Sequence, residues 1–108
     1  MKKLYLVKAT NHKGNILYKI GITKRMAGRI KDFKTSNPSE FDILVEFESI
    51  FPGILESTIK RHYEEFRVDG EWFNFPEDFK LENFVSEVKK IESNLLVLKE
   101  NSTLNKLF

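Results

Sequence analysis

Alternating apolar and polar residues predict a β-hairpin near the start of the chain. Residues 4–9 and 16–23 both alternate in this way and are rich in β-forming side chains, and the turn-forming residues 11–15 separate them. Apolar and acidic residues alternate again through much of 42–50, which predicts a third strand with one buried face.

Apolar residues at helical spacing predict three helices. The first covers about 24–34 and is basic, the second covers about 54–67, and the third covers about 79–99. The third helix is the longest and amphipathic, and its apolar residues repeat every 3.5 residues: Leu81, Phe84, Val88, Ile91, Leu95 and Leu98. This stripe either docks on the rest of its own domain or forms the seam of a homodimer.

The composition is that of one folded domain. A chain of 108 residues with 41% hydrophobic residues suffices for one core but not for two domains. We expect a single domain over residues 1–100, with a motif core over 3–75, followed by a tail over 101–108. Trp72, Phe73 and Phe75 form a short aromatic extended segment and are expected to belong to the core.

Several classes of protein are excluded by what the sequence lacks. Cysteine is absent, so there is no disulfide framework, no thiolate nucleophile and no cysteine zinc site. No run approaches the roughly 18 apolar residues of a membrane helix, and the apolar run at the start is too short for a signal peptide. We therefore expect a cytoplasmic protein that does not bind membranes.

The small net charge of +2 conceals a strongly polarised chain. Residues 1–37 hold ten basic residues and one acidic residue, about +9, whereas the remainder holds eight basic and fifteen acidic residues, about −7. The first third either suits a polyanion or forms a solvated lysine-rich surface. The candidate contacts to nucleic acid are Lys13, Tyr18, Lys19, Lys24, Arg25, Lys31, Lys34 and Lys60.

Motif residues are distributed along these elements in a recognisable order. Tyr5 lies on the first strand, residues 18–23 (Tyr-Lys-Ile-Gly-Ile-Thr) form the second, Arg29 lies on the first helix and Glu56 lies on the second. Residues 67–73 (Arg-Val-Asp-Gly-Glu-Trp-Phe) follow. In these residues the chain resembles the GIY-YIG nuclease superfamily, and most closely its phage-type DNA-binding branch with a Lys-Ile-Gly second motif.

This resemblance covers about residues 3–75 and implies both a fold and an activity. The implied fold is α+β, with a small three-stranded antiparallel sheet flanked by helices. The implied activity is metal-dependent hydrolysis of a phosphodiester in DNA, in which Tyr5 helps to activate water, Arg29 holds the phosphate and Glu56 binds one Mg²⁺ or Mn²⁺ ion. The chain departs from the pattern at Lys3-Leu4-Tyr5, which lacks glycine, and at Lys19, which replaces a tyrosine.

Elementary chemistry permits the same roles. One carboxylate and several waters suffice to hold Mg²⁺, and an arginine clamps a phosphate through two parallel hydrogen bonds. Tyr5 would serve as a general base if its hydroxyl lay near the metal and Lys19, and Lys19 itself would do so if buried and neutral, although a charged phosphate contact suits it better. The alternative for Glu56 is an ordinary surface pair with Lys60, four residues along its helix.

Two main hypotheses about function follow. The first is a metal-dependent DNA endonuclease or nickase, with catalytic residues Tyr5, Lys19, Arg29 and Glu56 and with double-stranded DNA as the expected substrate. The alternative is a non-catalytic DNA-binding or regulatory module of the same fold, which contacts phosphates through its basic residues and needs no metal. A third hypothesis is a protein-interaction domain whose final helix pairs with a partner.

Overall fold

The computed structural model of the protein describes residues 2–11, 13–36 and 40–101 of the 108-residue chain. The predicted hairpin, the third strand and the three helices are all present. The second helix ends at His62 rather than near residue 67, where a short 3-10 helix and a further strand take over. The elements are β1 (Lys3–Thr10), β2 (Ile16–Thr23), α1 (Met26–Ser36), β3 (Glu40–Glu48), α2 (Pro52–His62), the 3-10 helix (Glu64–Phe66), β4 (Arg67–Asp69), β5 (Trp72–Phe73) and α3 (Leu81–Glu100).

The strands form one antiparallel sheet in the order β3-β1-β2-β5-β4. The α+β class is as expected, but the expectation of three strands is wrong, because the sheet has five. The two additional strands have only three and two residues, which is too short to display an alternating pattern in the sequence. Gly70 joins them with a φ of 52°, a left-handed conformation that glycine adopts without steric cost.

The main core lies between one face of the sheet and the pair α2 and α3. Leu4, Leu6 and Ile20 from the central hairpin are fully buried on this face. Leu55 and Ile59, one helical turn apart on α2, are fully buried against them. Burial of the hairpin and of α2 in one cluster fixes the position of α2 relative to β1 and β2.

The apolar stripe of α3 docks on the rest of the same chain. Its four central residues, Phe84, Val88, Ile91 and Leu95, are buried in the main core, whereas Leu81 and Leu98 at the two ends are partly exposed. The first of the two alternatives for this helix is therefore observed. The predicted dimer seam is left without support, because the same side chains already pack within the chain.

A second, smaller core lies on the opposite face of the sheet, beneath α1. It contains Tyr5 and Val7 from β1 and Met26 from α1. Helix α1 covers only part of this face, and beyond it Trp72 is only partly buried, whereas Phe73 and Phe75 are buried as expected. One part of this face therefore remains accessible to a ligand.

Strand β3 forms one edge of the sheet and is strongly acidic. Four of its residues, Glu40, Asp42, Glu46 and Glu48, are exposed acids, and Glu46 Oε1 lies 3.7 Å from Lys3 Nζ on the neighbouring strand. The acidic excess of the later part of the chain is thus concentrated partly at this edge, at the opposite end of the sheet from β4.

The chain segment between β3 and α2 is tied to α3 by one carboxylate. Ser49, which is 1% exposed, donates a hydrogen bond from Oγ to Glu92 Oε1 at 2.8 Å. The backbone N–H of Ile50 donates to Glu92 Oε2, also at 2.8 Å. Both oxygens of Glu92 are thereby used, which stabilises the turn into α2 and the position of α3 together. In the part of the chain that the structure describes, no helix combines the length and apolar character needed to span a membrane.

Candidate functional site

Tyr5 lies at the centre of the candidate site, on the α1 face of the sheet. Strand alternation places its side chain on the face opposite Leu4 and Leu6, and the residue is only 1% exposed. Its ring lies directly over Gly21, its register partner on β2. A Cβ atom at position 21 would overlap the Tyr5 hydroxyl and lie 2.5 Å from Cζ. The glycine of the second motif therefore provides the space that the tyrosine ring occupies.

Three charged side chains from different parts of the chain act on the Tyr5 hydroxyl. Burial, which has the largest effect, and the negative charges of Glu71 and Glu56 together raise the pKa of Tyr5 to about 12, against the opposing positive charge of Arg29. These residues come from β1, α1, α2 and the turn before β5. It is therefore the fold, and not proximity in the sequence, that brings Tyr5, Arg29 and Glu56 within electrostatic reach of one another. Burial has the opposite effect on the hydroxyl from the activation expected of a general base.

A chain of ion pairs runs along one side of this site. Lys60 Nζ lies 3.1 Å from Glu56 Oε2 and 3.3 Å from Glu71 Oε1, so one ammonium bridges two carboxylates. Lys19 Nζ lies 3.4 Å from Glu71 Oε2. The pair of Glu56 with Lys60 expected from their spacing is present, but it is part of a network of four side chains that joins α2 to β2. The side chains of Glu56 and Lys60 are only 20% and 14% exposed, so solvent screens this pair less than an open surface pair.

Helix α1 contributes a basic groove beside the site. A cavity of about 380 Å³ is lined by Thr23, Arg25, Gly28, Arg29, Lys31 and Asp32. The hydroxyl of Thr23 accepts a hydrogen bond from the backbone N–H of Arg25 at 3.1 Å, which fixes the chain as it enters the helix. Arg29 is exposed on this groove, so its guanidinium can reach a phosphate while its charge still acts on Tyr5.

The other predicted contacts to nucleic acid are distributed unevenly. Lys13, in the hairpin turn, and Lys24, just before α1, are exposed. Tyr18 lies on the opposite face of the sheet from Tyr5 and packs against Phe75 and Phe79, with ring centroids 5.0 and 5.6 Å apart.

Lys34 and Lys60 are the remaining two candidate contacts to nucleic acid. The side chain of Lys34 lies outside the described residues. Lys60 faces the two carboxylates of the ion-pair network described above, which already engage its ammonium. Of the eight candidate contacts, the structure brings Lys19, Arg25, Lys31 and Lys60 to the site or to the adjoining groove.

Glu71 is the site residue that sequence reasoning missed. It stands in the Gly-Glu-Trp-Phe segment, but nothing in the local spacing links it to Glu56, fifteen residues earlier. The link is made by the fold: β5 pairs with β2 through Trp72 and Lys19, and the backbone N–H of Ile20 donates to the carbonyl of Glu71 at 3.2 Å. These contacts carry the Glu71 side chain to both lysines.

The carboxylates of the site are compatible with a divalent cation held mainly by water. Mg²⁺ takes oxygen ligands and commonly keeps several waters beside one or two carboxylates. Glu56 and Glu71 already share one cation, the Lys60 ammonium, so their oxygens converge on a position that suits positive charge. Over the described ranges no three His, Asp or Glu side chains form a closed metal cage. The residues fit an open site of one or two protein ligands, in which a metal would compete with Lys60.

Comparison with known proteins corrects the expected family. No curated protein and no solved structure matches the chain. A family model for the T5orf172 domain, a DNA-binding and nuclease-like type of domain, matches residues 2–94. This is a different family from GIY-YIG, and neither the GIY-YIG assignment nor a phage-type origin has support. The motifs that suggested GIY-YIG are short, lack the first glycine and carry Lys19 for tyrosine, so they did not discriminate between nuclease-like families. The match spans most of the chain, which therefore belongs to the T5orf172 domain family.

Proposed function

We propose that the protein is a divalent-metal-dependent endonuclease or nickase that hydrolyses phosphodiester bonds in double-stranded DNA. The observation that carries this proposal is that the charges of Arg29 and Glu56 both act on the hydroxyl of Tyr5, which is packed against Gly21. These groups come from three elements that are far apart in sequence, and together they offer a hydroxyl, a guanidinium and a carboxylate, the groups that phosphodiester hydrolysis needs.

Arg29 and Tyr5 are suited to bind the reacting phosphate. The guanidinium of Arg29 would hold two phosphate oxygens through parallel hydrogen bonds and offset the charge that grows on them. Tyr5, with a pKa of about 12, is ionised in about one molecule in 10⁵ at pH 7, so its hydroxyl acts as a hydrogen-bond donor. It would orient the attacking water or a phosphate oxygen rather than serve as a resting phenolate base.

Glu56 is the proposed ligand of Mg²⁺ or Mn²⁺, and Glu71 lies beside it as a second carboxylate. A divalent cation at this position would supply positive charge to the leaving oxygen as its bond to phosphorus breaks. Lys60 would release Glu56 when the cation binds, since both cations are attracted to the same oxygens. Lys19, held by Glu71, would then contact a neighbouring phosphate.

Nicking of supercoiled plasmid in the presence of Mg²⁺ or Mn²⁺ tests the proposal. Glu56→Gln, which removes the ligand charge and keeps the side-chain shape, should reduce cleavage by about 10²-fold or more. Arg29→Lys keeps the charge but loses the planar fork, and should reduce cleavage by about tenfold or more. Glu82→Gln, at an exposed position on α3, is the matched control and should cleave as the unmodified protein does. Cleavage by Glu56→Gln at the normal rate would refute the mechanism.

Metal-independent DNA binding is the second candidate, and one feature favours it. In the structure Lys60 and Lys19 offset the charges of the two carboxylates that would hold a metal, and Tyr5 is protonated. A binding module would show an affinity for DNA that is unchanged by chelators and that falls steeply with salt, with a slope of about −0.9 for each phosphate contact. Binding of this kind with no cleavage under Mg²⁺ or Mn²⁺ would favour this candidate over the nuclease.

A further inference from the structure

A second cavity of about 380 Å³ lies on the α1 face of the sheet, beyond the part that α1 covers. Its apolar lining comes from Ala9, Leu17, Val68 and Trp72, and Val68 is 58% exposed. We define this cavity as the Trp72 groove. Its polar lining consists of Asn11, Asn15 and Asp69.

The Trp72 groove combines an aromatic side chain with hydrogen-bonding groups, and its volume suits one planar heterocycle. Trp72 is only partly buried and lines the cavity, and every nucleobase has a face that can stack on an indole ring. Asn15 and Asp69 supply amide and carboxylate groups that can pair with the polar edge of a base. The turn that forms one wall is held by Asn11 Oδ1, which accepts from the backbone N–H groups of Lys13 and Asn15 at 2.9 Å each.

The groove is continuous with the proposed cleavage site through Lys19. Its ammonium lies 5.5 Å from the centroid of the Trp72 ring and 3.4 Å from Glu71 Oε2, so one side chain contacts both the groove and the ion-pair network. The exposed Lys13 stands in the turn at the groove wall, where it can meet a phosphate. A DNA strand with a phosphate at Lys19 therefore has a place for one base in the adjoining groove.

We propose that the Trp72 groove binds one unpaired nucleobase of the DNA by stacking it on the indole ring. The inference rests on the proposed function in that DNA is the ligand, but it does not require that the DNA be cut. It makes the preferred substrate a duplex that exposes a base at a gap, at a branch or where one base has turned out of the stack, and a single strand exposes the same base faces as a probe. Base pairs inside an undistorted duplex do not present a free face and would leave the groove empty.

Fluorescence of Trp72, the only tryptophan of the chain, tests this inference with metal removed by a chelator. Three probes of equal length are compared at one low salt concentration: oligothymidylate, the same strand with abasic residues in place of every base, and a blunt duplex. Stacking should quench Trp72 with oligothymidylate, whereas the abasic strand and the duplex should leave its emission nearly unchanged. Equal affinity and equal quenching with the abasic strand would overturn the inference.

Variants of the groove test the same point by anisotropy of labelled oligothymidylate. Trp72→Ala should weaken binding by between about fivefold and 150-fold, and Trp72→Tyr, which keeps an aromatic face, should recover most of the loss. Since Trp72→Ala can fail to fold, Val68→Asp places a charge in the groove at an exposed position and should also weaken binding. Val97→Asp is its matched control, because Val97 is 57% exposed on α3, away from the groove, and its substitution should not change the affinity.

The outcomes separate this inference from the proposed function. If both Trp72→Ala and Val68→Asp bind oligothymidylate with normal affinity, the binding of a base in the Trp72 groove is refuted, whatever the result of the plasmid assay. Absence of binding to all three probes would overturn both the groove and DNA as the ligand. If Glu56→Gln loses nicking but the affinity for DNA does not depend on the bases, the proposed nuclease activity stands and only the binding of a base in the Trp72 groove is refuted.

Discussion

Replacement of Gly21 by alanine is the sharpest test of the central contact of the site. The new Cβ would lie 2.5 Å from Tyr5 Cζ and 3.1 Å from Cε2, and it would overlap the hydroxyl. Either the aromatic ring or strand β2 must move, because these separations are shorter than a normal van der Waals contact. The ring is rigid and only 1% exposed, confined between the sheet and α1, so it cannot swing into solvent without leaving the second core.

We expect Gly21→Ala to lower the free energy of unfolding by about 1–3 kcal/mol, the usual cost of overpacking a well-packed interior. For a domain of this size, 1 kcal/mol corresponds to a fall in Tm of about 4–8 °C. The displaced hydroxyl would also leave the position at which Arg29 and Glu56 act on it. Plasmid nicking should therefore fall by more than the loss of folded protein explains.

Urea unfolding followed by circular dichroism measures the effect on stability. Gly28→Ala is the matched control: nothing lies within 4 Å of the new Cβ, and alanine is favoured over glycine in a helix by about 0.8–1.0 kcal/mol, so this variant should be slightly more stable. In a Tyr5→Leu background, where the ring is absent, the cost of Gly21→Ala should nearly vanish. An equal cost in both backgrounds, or no cost in either, would refute the proposed contact.

Three further predictions concern the charged and polar groups around the cores. The pKa of Tyr5 is raised above its value of 10.0 in the unfolded chain, so the protonated hydroxyl contributes stability that is present below pH 10 and is lost as the pH rises towards 12. In Tyr5→Phe this part of the pH dependence of thermal unfolding should be absent. Lys60→Gln removes the ammonium that competes for Glu56, so plasmid nicking should reach half its maximum at a lower Mg²⁺ concentration; a higher concentration would show that Lys60 assists the metal. Glu92→Ala leaves the buried Ser49 hydroxyl and the backbone N–H of Ile50 without their acceptor. It should lower the free energy of unfolding in urea by about 1–3 kcal/mol. A loss below about 0.5 kcal/mol, the usual effect of a surface substitution, would contradict this role.

The elements with many residues were predictable from the sequence, whereas for the shortest strands the sequence predicted only an extended segment at Trp72, Phe73 and Phe75 and not its place in the sheet. The hairpin, the third strand and the three helices each display several repeats of an apolar pattern, because each buries one face along its whole length. Strands β4 and β5 have too few residues for such a pattern, and they exist because β5 pairs with β2 at Tyr18 and Lys19, more than 50 residues away in sequence. Pairing over that separation depends on the folded core rather than on local propensity.

The sequence predicted three of the candidate site residues, but neither Glu71 nor the electrostatics of the site. The order of Tyr5, Arg29 and Glu56 along the elements placed them on three parts of one fold, although the short motifs suggested the wrong family. The direction of the Tyr5 pKa shift depends on how deeply its ring is buried, which β1 alternation alone does not specify. The part played by Glu71 follows from β5 pairing, so it was invisible for the same reason as the strand.

The acidic edge strand β3 has a consequence for how a polyanion can approach. A sheet edge with free backbone groups invites another strand, and the four exposed carboxylates of β3 disfavour such an addition by a second copy of the chain through mutual repulsion. The same charges repel a DNA backbone, whereas the basic groove of α1 attracts it. Encounters with DNA would therefore be biased before any contact forms, and the DNA backbone would be directed away from β3 and towards Arg29.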